Sequence, residues 1–581
     1  MQLKLTIILI IMGLITLSGC VMPVRLTQEP PPLSTIHASI LQTLTPKVIS
    51  TTEVLSESKT PEPTSLNREQ EPQDKQEIYL HPGLPESIFQ SFSMESYQIL
   101  NSPKEGIGSI QLGSINSHEN AQNVTIWLYS LVAPFLTLTD EITFDSLQSL
   151  WQGQPAQGSP FTQIFLTQPT RSAMTELLGP ANPASVVTVS EEVLIEKALG
   201  NEPILGIMPF ESLIPQFKVL RVDGFSPLEA EFNPSSYPLS VKIWREGTWP
   251  SDLPHLPPTN FNPGRRTILI MTGVTALTRA TAHQMAFKGE TFPGKDIRNW
   301  LLDADLTHIS HEVPFTENCP DPNPVQENLI FCAAPERIAL LEDIGTDIVE
   351  LTGNHILDYG EAAAELTIQM YRDRDWKIYA GGLDLSEARS PAMITHNDNK
   401  LAFIGCNLPG PPNVWATSTK PGAASCGNYQ WLEEAIKQSV MDGYLPIVTL
   451  QYSEDYSAIP SPQMESDFLR LAEAGAVVVN GSQAHTPKIM GFHENGFLHF
   501  GLGNLFFDQM EVYYNNILMQ GTRDEFIDRL VFYDNRLVSV ELLTAKLEDY
   551  ARPRPMTSNE RAEFLSRIFE LAHEYQKERT P

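Results

Sequence analysis

The segment Gly353-Asn354-His355 contains two adjacent residues of types that can bind metals, and it follows an apolar run at residues 347–351. The run predicts a buried strand, and open α/β sheets place their ligands at the carboxyl ends of strands. Asn354 offers a carbonyl oxygen and His355 an imidazole nitrogen, which are both ordinary metal ligands. The alternative is a tight turn, because Asn tolerates the left-handed backbone region. The segment alone leaves both interpretations open.

Five other polar segments follow predicted strands in the same part of the chain. They are residues 273–279 with Arg279, 310–312 with Glu312, 451–455 with Gln451, Glu454 and Asp455, 481–485 with Gln483 and His485, and 503–504 with Asn504. Loops that leave one edge of a sheet line a common pocket. We therefore expect these side chains to converge on one cavity.

Strands alternate with helices through this region, which predicts a parallel or mixed sheet covered by helices. The predicted strands are residues 267–273, 401–405, 446–450, 476–479 and 497–500. The predicted helices are residues 336–344, 361–373, 429–442 and 462–474. Glycines at positions 345, 443 and 475 follow three of these helices, as is common at helix C-termini.

The order of the polar segments resembles that of the CapA-type poly-γ-glutamate capsule synthesis proteins, relatives of the calcineurin-like metallophosphoesterases. That family shows Gly-Asp-x-x-x-x-Arg, Asn-Leu-Glu, Asn-Asn-His-x-x-Asp-x-Gly, His-Trp-Gly-x-Glu, Gly-His-His-Pro-His and Leu-Gly-Asn-Phe in sequence. The counterparts here are residues 273–279, 310–312, 353–360, 451–456, 481–485 and 502–508. The resemblance implies an α/β fold, α+β in part, with metallophosphoesterase-like mixed sheet layers covered by helices.

Several positions that the family uses for metal binding are replaced. Val274 stands where the family has an aspartate, Gln451 replaces a histidine, and Ser482 and Gln483 replace two more. A two-metal site needs an anionic ligand between its cations, which Val274 cannot supply. The ligands that the resemblance still implies are Glu312, Asn354, His355 and His485, with Gln451 and Gln483 as amide contacts and His308 and His311 as alternatives. One Zn²⁺ or Mn²⁺, no metal, and a full dinuclear centre are the alternatives.

A single metal in this site would support hydrolysis of a phosphoester or amide bond. Glu454 or Asp455 would then act as general base, and Arg279 would contact an anionic substrate. The alternative for Arg279 is a salt bridge that ties its loop to the sheet. Asp358 and Asn504 are expected to orient the ligands, although Asp358 is also placed to cap the helix that follows it.

The N-terminus has the features of a bacterial lipoprotein signal peptide over residues 1–20. A lysine precedes a short apolar run, and the sequence Leu-Ser-Gly-Cys ends at Cys20. This ending resembles a lipobox, which implies that Cys20 is lipidated; a membrane helix is the alternative. Residues 21–77 are rich in Ser, Thr, Pro, Glu and Gln and predict a disordered tether. Both interpretations place the bulk of the chain outside the cytoplasm, anchored to the membrane.

The remaining length exceeds one ordinary core. Residues 78–250 predict a smaller α/β domain, residues 262–548 the metallophosphoesterase-like domain, and residues 549–581 a capped amphipathic helix opening at Thr557. In the first domain we predict a helix at 144–151 and strands at 123–129, 204–210, 217–222 and 237–244. Its motifs at 147–153, 207–210 and 237–239 resemble one lobe of a phosphate-type periplasmic solute-binding protein. We interpret it as a structural or docking module, with solute binding as the alternative.

Besides Cys20 the chain has four cysteines, and none shows the Cys-x-x-Cys spacing of zinc or redox motifs. An even number outside the cytoplasm favours disulfides. Cys319 and Cys332 flank one Pro-rich loop, and Cys406 and Cys426 flank another. We predict two local bridges, Cys319–Cys332 and Cys406–Cys426, with free buried thiols as the alternative.

The formal net charge is −31, and the acidic residues are spread along the chain. Nucleic-acid binding needs a concentrated basic face, so nucleic acid is excluded as a partner. The resemblance implies a lipid-anchored envelope protein with a degenerate metal site. Its partners would be an extracellular polymer such as poly-γ-glutamate, or its precursors, and the polymer-synthesis machinery. The alternatives are a mononuclear metal-dependent hydrolase and a solute- or glycan-binding lipoprotein.

Overall fold

The computed structural model describes residues 75–92, 96–117, 124–200, 202–249, 256, 259–511, 513–514, 517–519 and 521–577. The expected signal peptide, Cys20 and almost all of the expected tether lie outside the described residues. Within the described ranges, no helix has the length and apolar character needed to cross a membrane.

The first region is an α/β layer built on one long mixed sheet. Its strands are β1 Gln76–Leu80, β2 Tyr97–Leu100, β3 Gly108–Ser114, β4 Thr125–Pro134, β5 Glu141–Ile142, β6 Ile164–Leu166, β7 Val186–Thr188, β8 Leu205–Pro209, β9 Phe217–Val219, β10 Arg221–Val222 and β11 Ser240–Glu246. Its helices are α1 Glu86–Gln90, α2 Phe144–Trp151, α3 Gln168–Leu178 and α4 Glu191–Ala198. The sheet order is β2-β1-β3-β11-β4-β8-β6-β7, and β9 also pairs with β4.

Local signals in this region predicted helix α2 more accurately than they predicted the strands. Helix α2 has the predicted bounds, because the Thr143 hydroxyl caps it by accepting a hydrogen bond from the Ser146 amide. The strand predicted at residues 217–222 is wrong as one element. The structure splits it into β9, which pairs with β4, and β10, which pairs with β5. An apolar pattern marks a buried segment, but it does not specify the strand with which each part pairs.

The second region is a sandwich of two sheets with helices on its outer faces. Its strands are β12 Arg266–Met271, β13 Val274–Thr275, β14 Leu306–His311, β15 Ile348–Glu350, β16 Lys377–Tyr379, β17 Gly381–Gly382, β18 Ala392–His396, β19 Asn399–Asn407, β20 Gly422–Ala423, β21 Leu445–Gln451, β22 Val478–Asn480, β23 Met490–His493, β24 Gly496–His499, β25 Asn504–Phe506, β26 Tyr513–Tyr514, β27 Ile517–Leu518, β28 Asp524–Tyr533, β29 Arg536–Glu548 and β30 Arg552–Pro555. Its helices are α5 Arg279–Lys288, α6 Arg298–Leu302, α7 Ile338–Asp343, α8 Glu361–Arg372, α9 Leu385–Ala388, α10 Gln430–Met441, α11 Pro462–Glu473 and α12 Ser558–Lys577.

The two large sheets run in the orders β16-β15-β14-β12-β28-β29-β30 and β18-β19-β21-β22-β24-β23. Strands β12, β14, β15 and β16 are parallel, whereas β28 joins β12 antiparallel. One core cluster contains side chains of both sheets, such as Leu269, Phe403 and Val478, so the sheets pack face to face. The predicted α/β class with mixed, helix-covered sheet layers is confirmed.

The first region shares its hydrophobic core with the sandwich. Val531, Tyr533 and Val538 of β28 and β29 belong to the same buried cluster as the side chains of the first region. The Tyr533 ring lies 5.0 Å from the Phe210 ring, in an edge-to-face arrangement. Residues 74–581 accordingly form one compact unit.

The C-terminal helix α12 has the predicted capping box. The Glu560 amide donates to the Thr557 hydroxyl, and the Glu560 carboxylate accepts from the Thr557 amide at 2.9 Å. The predicted apolar face is buried at Phe564, Leu565, Ile568 and Phe569, while Leu571 lies at its half-buried edge.

Both predicted disulfides are present, and the free-thiol alternative is wrong. Cys319 is bonded to Cys332 and Cys406 to Cys426, with Cα–Cα distances of 5.8 and 5.0 Å. The first bridge closes the loop between β14 and α7. The second closes the loop between β19 and α10. The two ends of that loop lie beside the polar loops at the edge of the sheet.

Glu525 of β28 is fully buried, and neither of its carboxylate oxygens has a hydrogen-bond partner among the described residues. Burial, reinforced by the nearby Asp524 charge, raises the pKa of Glu525 well above its usual value. The folded protein therefore binds a proton at Glu525 that the unfolded chain releases near its ordinary pKa.

We expect this carboxyl to make the protein less stable as pH rises. The contribution of Glu525 to the free energy of unfolding is greatest below its unfolded-state pKa, near 4.5. Above that pH the contribution falls by up to about 1.4 kcal/mol per pH unit until the folded-state pKa is reached. Urea unfolding at about pH 5 and about pH 7 should show a smaller loss for Glu525→Gln than for the wild type. The exposed change Glu563→Gln should follow the wild type. Equal pH dependence of Glu525→Gln and the wild type would contradict the prediction.

Candidate functional site

Glu312 lies directly after β14, at the predicted edge of the sheet, and its side chain is 2% exposed. Gly353 packs against it: a Cβ atom at position 353 would lie 2.5 Å from the Glu312 Cα. Any larger residue there would displace Glu312, so this glycine is required for close approach of two loops.

The structure brings Glu312, His355 and His485 within electrostatic reach of one another. Burial raises the pKa of Glu312, whereas the imidazoles of His355 and His485 and the Arg279 guanidinium oppose that rise. No hydrogen bond to the Glu312 carboxylate occurs among the described residues, and its amide donates to the Thr275 carbonyl. The Glu312 carboxyl is thus buried near the two imidazoles, with no side-chain hydrogen bond to it among the described residues.

His355 is held by Asp358. Its Nδ1 donates to Asp358 Oδ2 at 2.7 Å, and the same oxygen accepts from the Phe331 amide at 2.7 Å. Burial disfavours the imidazolium, but the Asp358 hydrogen bond and the Glu312 charge outweigh it and raise the pKa of His355. Asp358 therefore has the expected contact with His355. It does not cap α8, whose N-cap is Gly360 without a side-chain hydrogen bond.

His485 is held in the same manner by Asn504, the other residue expected to orient a ligand. Its Nδ1 donates to Asn504 Oδ1 at 2.8 Å, and Asn504 Nδ2 in turn donates to the Thr522 carbonyl at 2.9 Å. The His485 Nε2 atom lies 3.9 Å from a carboxylate oxygen of Glu454. Both histidines are thus fixed by hydrogen bonds through Nδ1, which leaves the Nε2 atom of each ring for another contact.

The amides predicted as metal contacts bind other amides or hydroxyls. Gln451 Nε2 donates to Asn354 Oδ1 at 2.8 Å, and Gln451 Oε1 accepts from Asn407 at 2.5 Å. Gln483 Nε2 donates to the Ser310 hydroxyl at 2.5 Å. The Asn354 and Gln451 oxygens are therefore engaged within the loop network.

Asn407 was not predicted from the sequence; it lies two residues beyond the predicted strand 401–405 and ends the observed strand β19. Its Nδ2 donates to the Thr352 carbonyl at 2.8 Å, and its Oδ1 accepts from the Gly410 amide and the Trp415 indole. Through Gln451 this side chain links the Cys406–Cys426 loop to the His355 loop. Its position at a strand end was the available signal.

Arg279 is paired with Asp508, so the alternative of a salt bridge is the arrangement observed. Asp508 also accepts from the Ala280 amide at 3.0 Å. The guanidinium lies 4.8 Å from the Phe331 ring centre and 5.3 Å from the Phe507 ring centre. Arg279 has a positive φ of 46°, a conformation that this pairing and stacking stabilise.

Of the two predicted general bases, Glu454 is the more accessible, although the Tyr456 hydroxyl donates a hydrogen bond to it. The Asp455 carboxylate is bound by the Lys488 ammonium and by the Ser457 amide, so its assignment as a base is not supported. The Glu454 side chain is 42% exposed at the mouth of a depression of about 300 Å³ that His485 also lines.

The alternative ligands His308 and His311 are fully buried and belong to the core. His308 Nε2 lies 2.8 Å from the Tyr379 hydroxyl, and His311 Nδ1 lies 2.7 Å from the Tyr371 hydroxyl. Burial lowers the pKa of His311 to about 3, so it is neutral. Neither histidine is a substitute for the missing ligands.

The donor types at the site suit one Zn²⁺ or Mn²⁺, but their placement does not fit a metal ion. In the part of the chain that the structure describes, no three His, Cys, Asp or Glu side chains are grouped as a metal site requires. Val274, where the family has a carboxylate, is completely buried in an apolar cluster. We therefore assign no step of a reaction to a metal.

The first region has a pocket of about 870 Å³ beside the N-terminus of α3. Glu86, Glu191, Thr167 and Thr170 line it, and no Lys or Arg is among its described lining residues. Two carboxylates without a cation disfavour phosphate. The phosphate-type resemblance of residues 78–250 stays a prediction.

Comparison with known proteins gives a family-model match in the second region, together with several related proteins. Residues 268–509 match the family model described as bacterial capsule synthesis protein PGA_cap. The capsule biosynthesis protein CapA of Bacillus anthracis is 21% identical over 325 residues, which cover 55% of this chain and 77% of that protein. A probable polyglutamine synthesis accessory protein of Mycobacterium tuberculosis is 22% identical over 226 residues, covering 36% of this chain and 57% of that protein. A solved structure of a putative 5'-nucleotidase from Staphylococcus aureus matches 52% of this chain and 58% of its own chain, at 11% identity and a TM-score of 0.30.

Proposed function

Because residues 268–509 match the family model described as bacterial capsule synthesis protein PGA_cap, we propose that the chain acts in the synthesis or attachment of an extracellular polymer such as poly-γ-glutamate. Its partners are the polymer or its precursors and the envelope machinery that makes the polymer. A lipid on Cys20 and a tether over residues 21–77 hold the domain at the outer side of the membrane. The domain match and the predicted lipobox support this role.

The observation that carries the proposal is that Glu312 is buried within electrostatic reach of both His355 and His485. Asp358 and Glu312 raise the pKa of His355, which favours its imidazolium form, and an imidazolium can bind a single glutamyl carboxylate. It also holds a proton that it can donate to the bound group. The formal net charge of −31 repels a long polyanion, which confines contact to this site.

We further propose that the metal site of this domain is degenerate. Val274 removes the carboxylate that the family motif carries, and Asn354 and Gln451 bind each other through their side chains. The remaining Glu312, His355 and His485 then act as proton donors, acceptors and substrate contacts.

A metal assay tests the degenerate site. We expect the purified full-length chain, after exposure to Zn²⁺ and Mn²⁺ and removal of free ions, to retain far less than about one ion per chain, because two of the amide ligands are engaged and no carboxylate replaces Val274. Plasma mass spectrometry measures the retained metal. About one ion per chain that is lost in His355→Ala and His485→Ala, but kept in the control His493→Ala, would overturn this proposal and favour a mononuclear hydrolase.

Genetic complementation tests the role in polymer formation. In a polymer-producing strain that lacks this chain, we expect wild-type protein to restore polymer and Glu312→Gln to restore at least about tenfold less, because a glutamine amide can neither donate nor accept a proton as a carboxyl does. Glutamate released from the cell-surface polymer by acid hydrolysis is the measure, and immunoblots show equal protein. Glu365→Gln, an exposed change on α8, is the control. Equal amounts of cell-surface polymer in the deletion strain and the wild-type strain would contradict the proposed function.

A further inference from the structure

A large cleft lies where the first region meets the sandwich and helix α12, and we call it the junction cleft. Its cavity volume is about 440 Å³. Lys218 and Arg221 line it from the first region, Trp300 from α6, and Arg561 and Phe569 from α12. It shares no lining residue with the Glu312 site or its depression. A volume of this order accommodates a ligand of several hundred daltons.

The charged groups of the junction cleft neutralise one another. Four cations, Lys218, Arg221, Arg529 and Arg561, face four carboxylates, Asp140, Glu229, Asp303 and Glu541. Asp140 lies 2.5 Å from the Lys218 ammonium and accepts two hydrogen bonds of 3.0 Å from Arg561. Arg221 binds Glu229 at 3.1 Å, and Arg529 binds Glu541.

These ion pairs argue against a charged ligand. Burial lowers the pKa of Lys218 to about 8, which weakens it further as a site for an anion. Insertion of an anion or a cation would separate a half-buried ion pair, and breaking such a pair leaves an uncompensated charge. A polyglutamate chain is therefore a poor ligand for this cleft.

The same groups retain hydrogen-bonding capacity for a neutral ligand. The bond from Arg221 to Glu229 uses only Nε of the five guanidinium N–H donors. The Asp303 side chain is 52% exposed, and the Asn299 side chain stands on the rim. Hydrogen-bond donors and acceptors thus both line the cleft, together with the half-buried Trp300 indole and the edge of the largely buried Phe569 ring.

We propose that the junction cleft binds a neutral saccharide. Each sugar hydroxyl both donates and accepts, so adjacent hydroxyls match a wall that carries carboxylates, guanidinium groups and an amide without disturbing any ion pair. The weakly polar C–H face of a sugar ring packs against an aromatic ring such as Trp300. The cleft would thereby attach the capsule domain to a neutral glycan of its surroundings.

Binding of defined neutral oligosaccharides to the full-length chain in detergent tests the proposal. Chitotetraose, maltotetraose, cellotetraose and mannotetraose are the neutral probes, and tetra-γ-glutamate and trigalacturonate are the anionic ones. Calorimetry is expected to show at least one neutral probe with a dissociation constant below about 1 mM and no binding of either anion. No neutral binding, or anionic binding as tight as neutral binding, would overturn the proposal.

Variants then locate the bound probe. Trp300→Ala is expected to weaken binding at least tenfold, and the rim change Asn299→Ala at least threefold, because they remove the stacking face and one hydrogen-bonding amide. Trp376→Ala, a half-buried tryptophan outside the cleft, is the matched control and should bind as the wild type does. Asn299 is exposed, so its variant keeps the test valid if Trp300→Ala fails to fold. Unchanged affinity in Asn299→Ala and in a folded Trp300 variant would place the glycan elsewhere and refute the assignment.

Discussion

Replacing His355 by glutamine is expected to lower the rate of polymer formation by about 100-fold, at the lower end of the range for loss of a positioned proton donor. The imidazole is held at 2.7 Å by Asp358 and lies within reach of the Glu312 carboxyl. Glutamine keeps approximately the same length but carries neither the proton nor the charge. The measure is the initial rate of labelled glutamate incorporation by membranes that contain the full chain.

His493→Gln is the matched control, because His493 lies on the β23 hairpin and lines neither the depression nor the junction cleft. It should leave the rate unchanged. A rate for His355→Gln within about twofold of the wild type would remove His355 from the proton-transfer role.

The pH dependence gives an independent readout of the same group. Since Asp358 and Glu312 raise the pKa of His355 above 6.5, activity that needs the imidazolium should persist to a higher pH than an unperturbed histidine allows. Asp358→Asn should move the alkaline limb of the profile to lower pH. If Asp358 had only a structural role, Asp358→Asn would change the amplitude of the pH profile but leave the position of its alkaline limb unchanged.

Replacing Tyr533 by alanine is expected to reduce the free energy of unfolding by about 3–5 kcal/mol, as for other buried aromatic side chains. Tyr533 is 3% exposed, and its ring packs against Phe210 and is stacked on Phe261 of the first region. Its hydroxyl accepts from the Asn262 amide at 2.9 Å. Urea unfolding followed by circular dichroism measures the change.

The control for this prediction is Tyr550→Ala. Tyr550 is 41% exposed, and its replacement should alter stability by less than about 0.5 kcal/mol. Because Tyr533 belongs to the core of the first region, that region should lose its structure together with the sandwich in one transition. A Tyr533→Ala protein as stable as the wild type would show that the two regions are held together by other contacts.

Local signals in the sequence predicted the helices best. Thr143 before α2, Ser461 before α11 and Thr557 before α12 each place a hydroxyl at the first turn, where it satisfies free backbone amides. The predicted disulfides were also correct, because each joins cysteines that flank one loop. Helix 336–344 was only partly correct, since it opens with a 3-10 turn at Pro335–Arg337 before α7 begins.

Side-chain pairings between distant segments were beyond local reasoning. Arg279 and Asp508 are 229 residues apart, and Asn407 contacts Gln451 across 44 residues. The sequence offered each of them several partners of suitable chemistry. Only the packing of the two sheets selects one.

The sequence alone determined the alternation of strands and helices in the second region, the strand ends that polar loops follow, and the absence of a carboxylate at Val274. These properties depend on residue type and on spacing along the chain, which set hydrophobic periodicity and capping. The tertiary structure decided that Arg279 pairs with Asp508 and that Asp455 pairs with Lys488. It also decided that Asn354 and Gln451 bind each other and that a charge-balanced cleft opens beside α12. Those outcomes depend on distances between segments remote in sequence, which are fixed only when the common core of both regions forms.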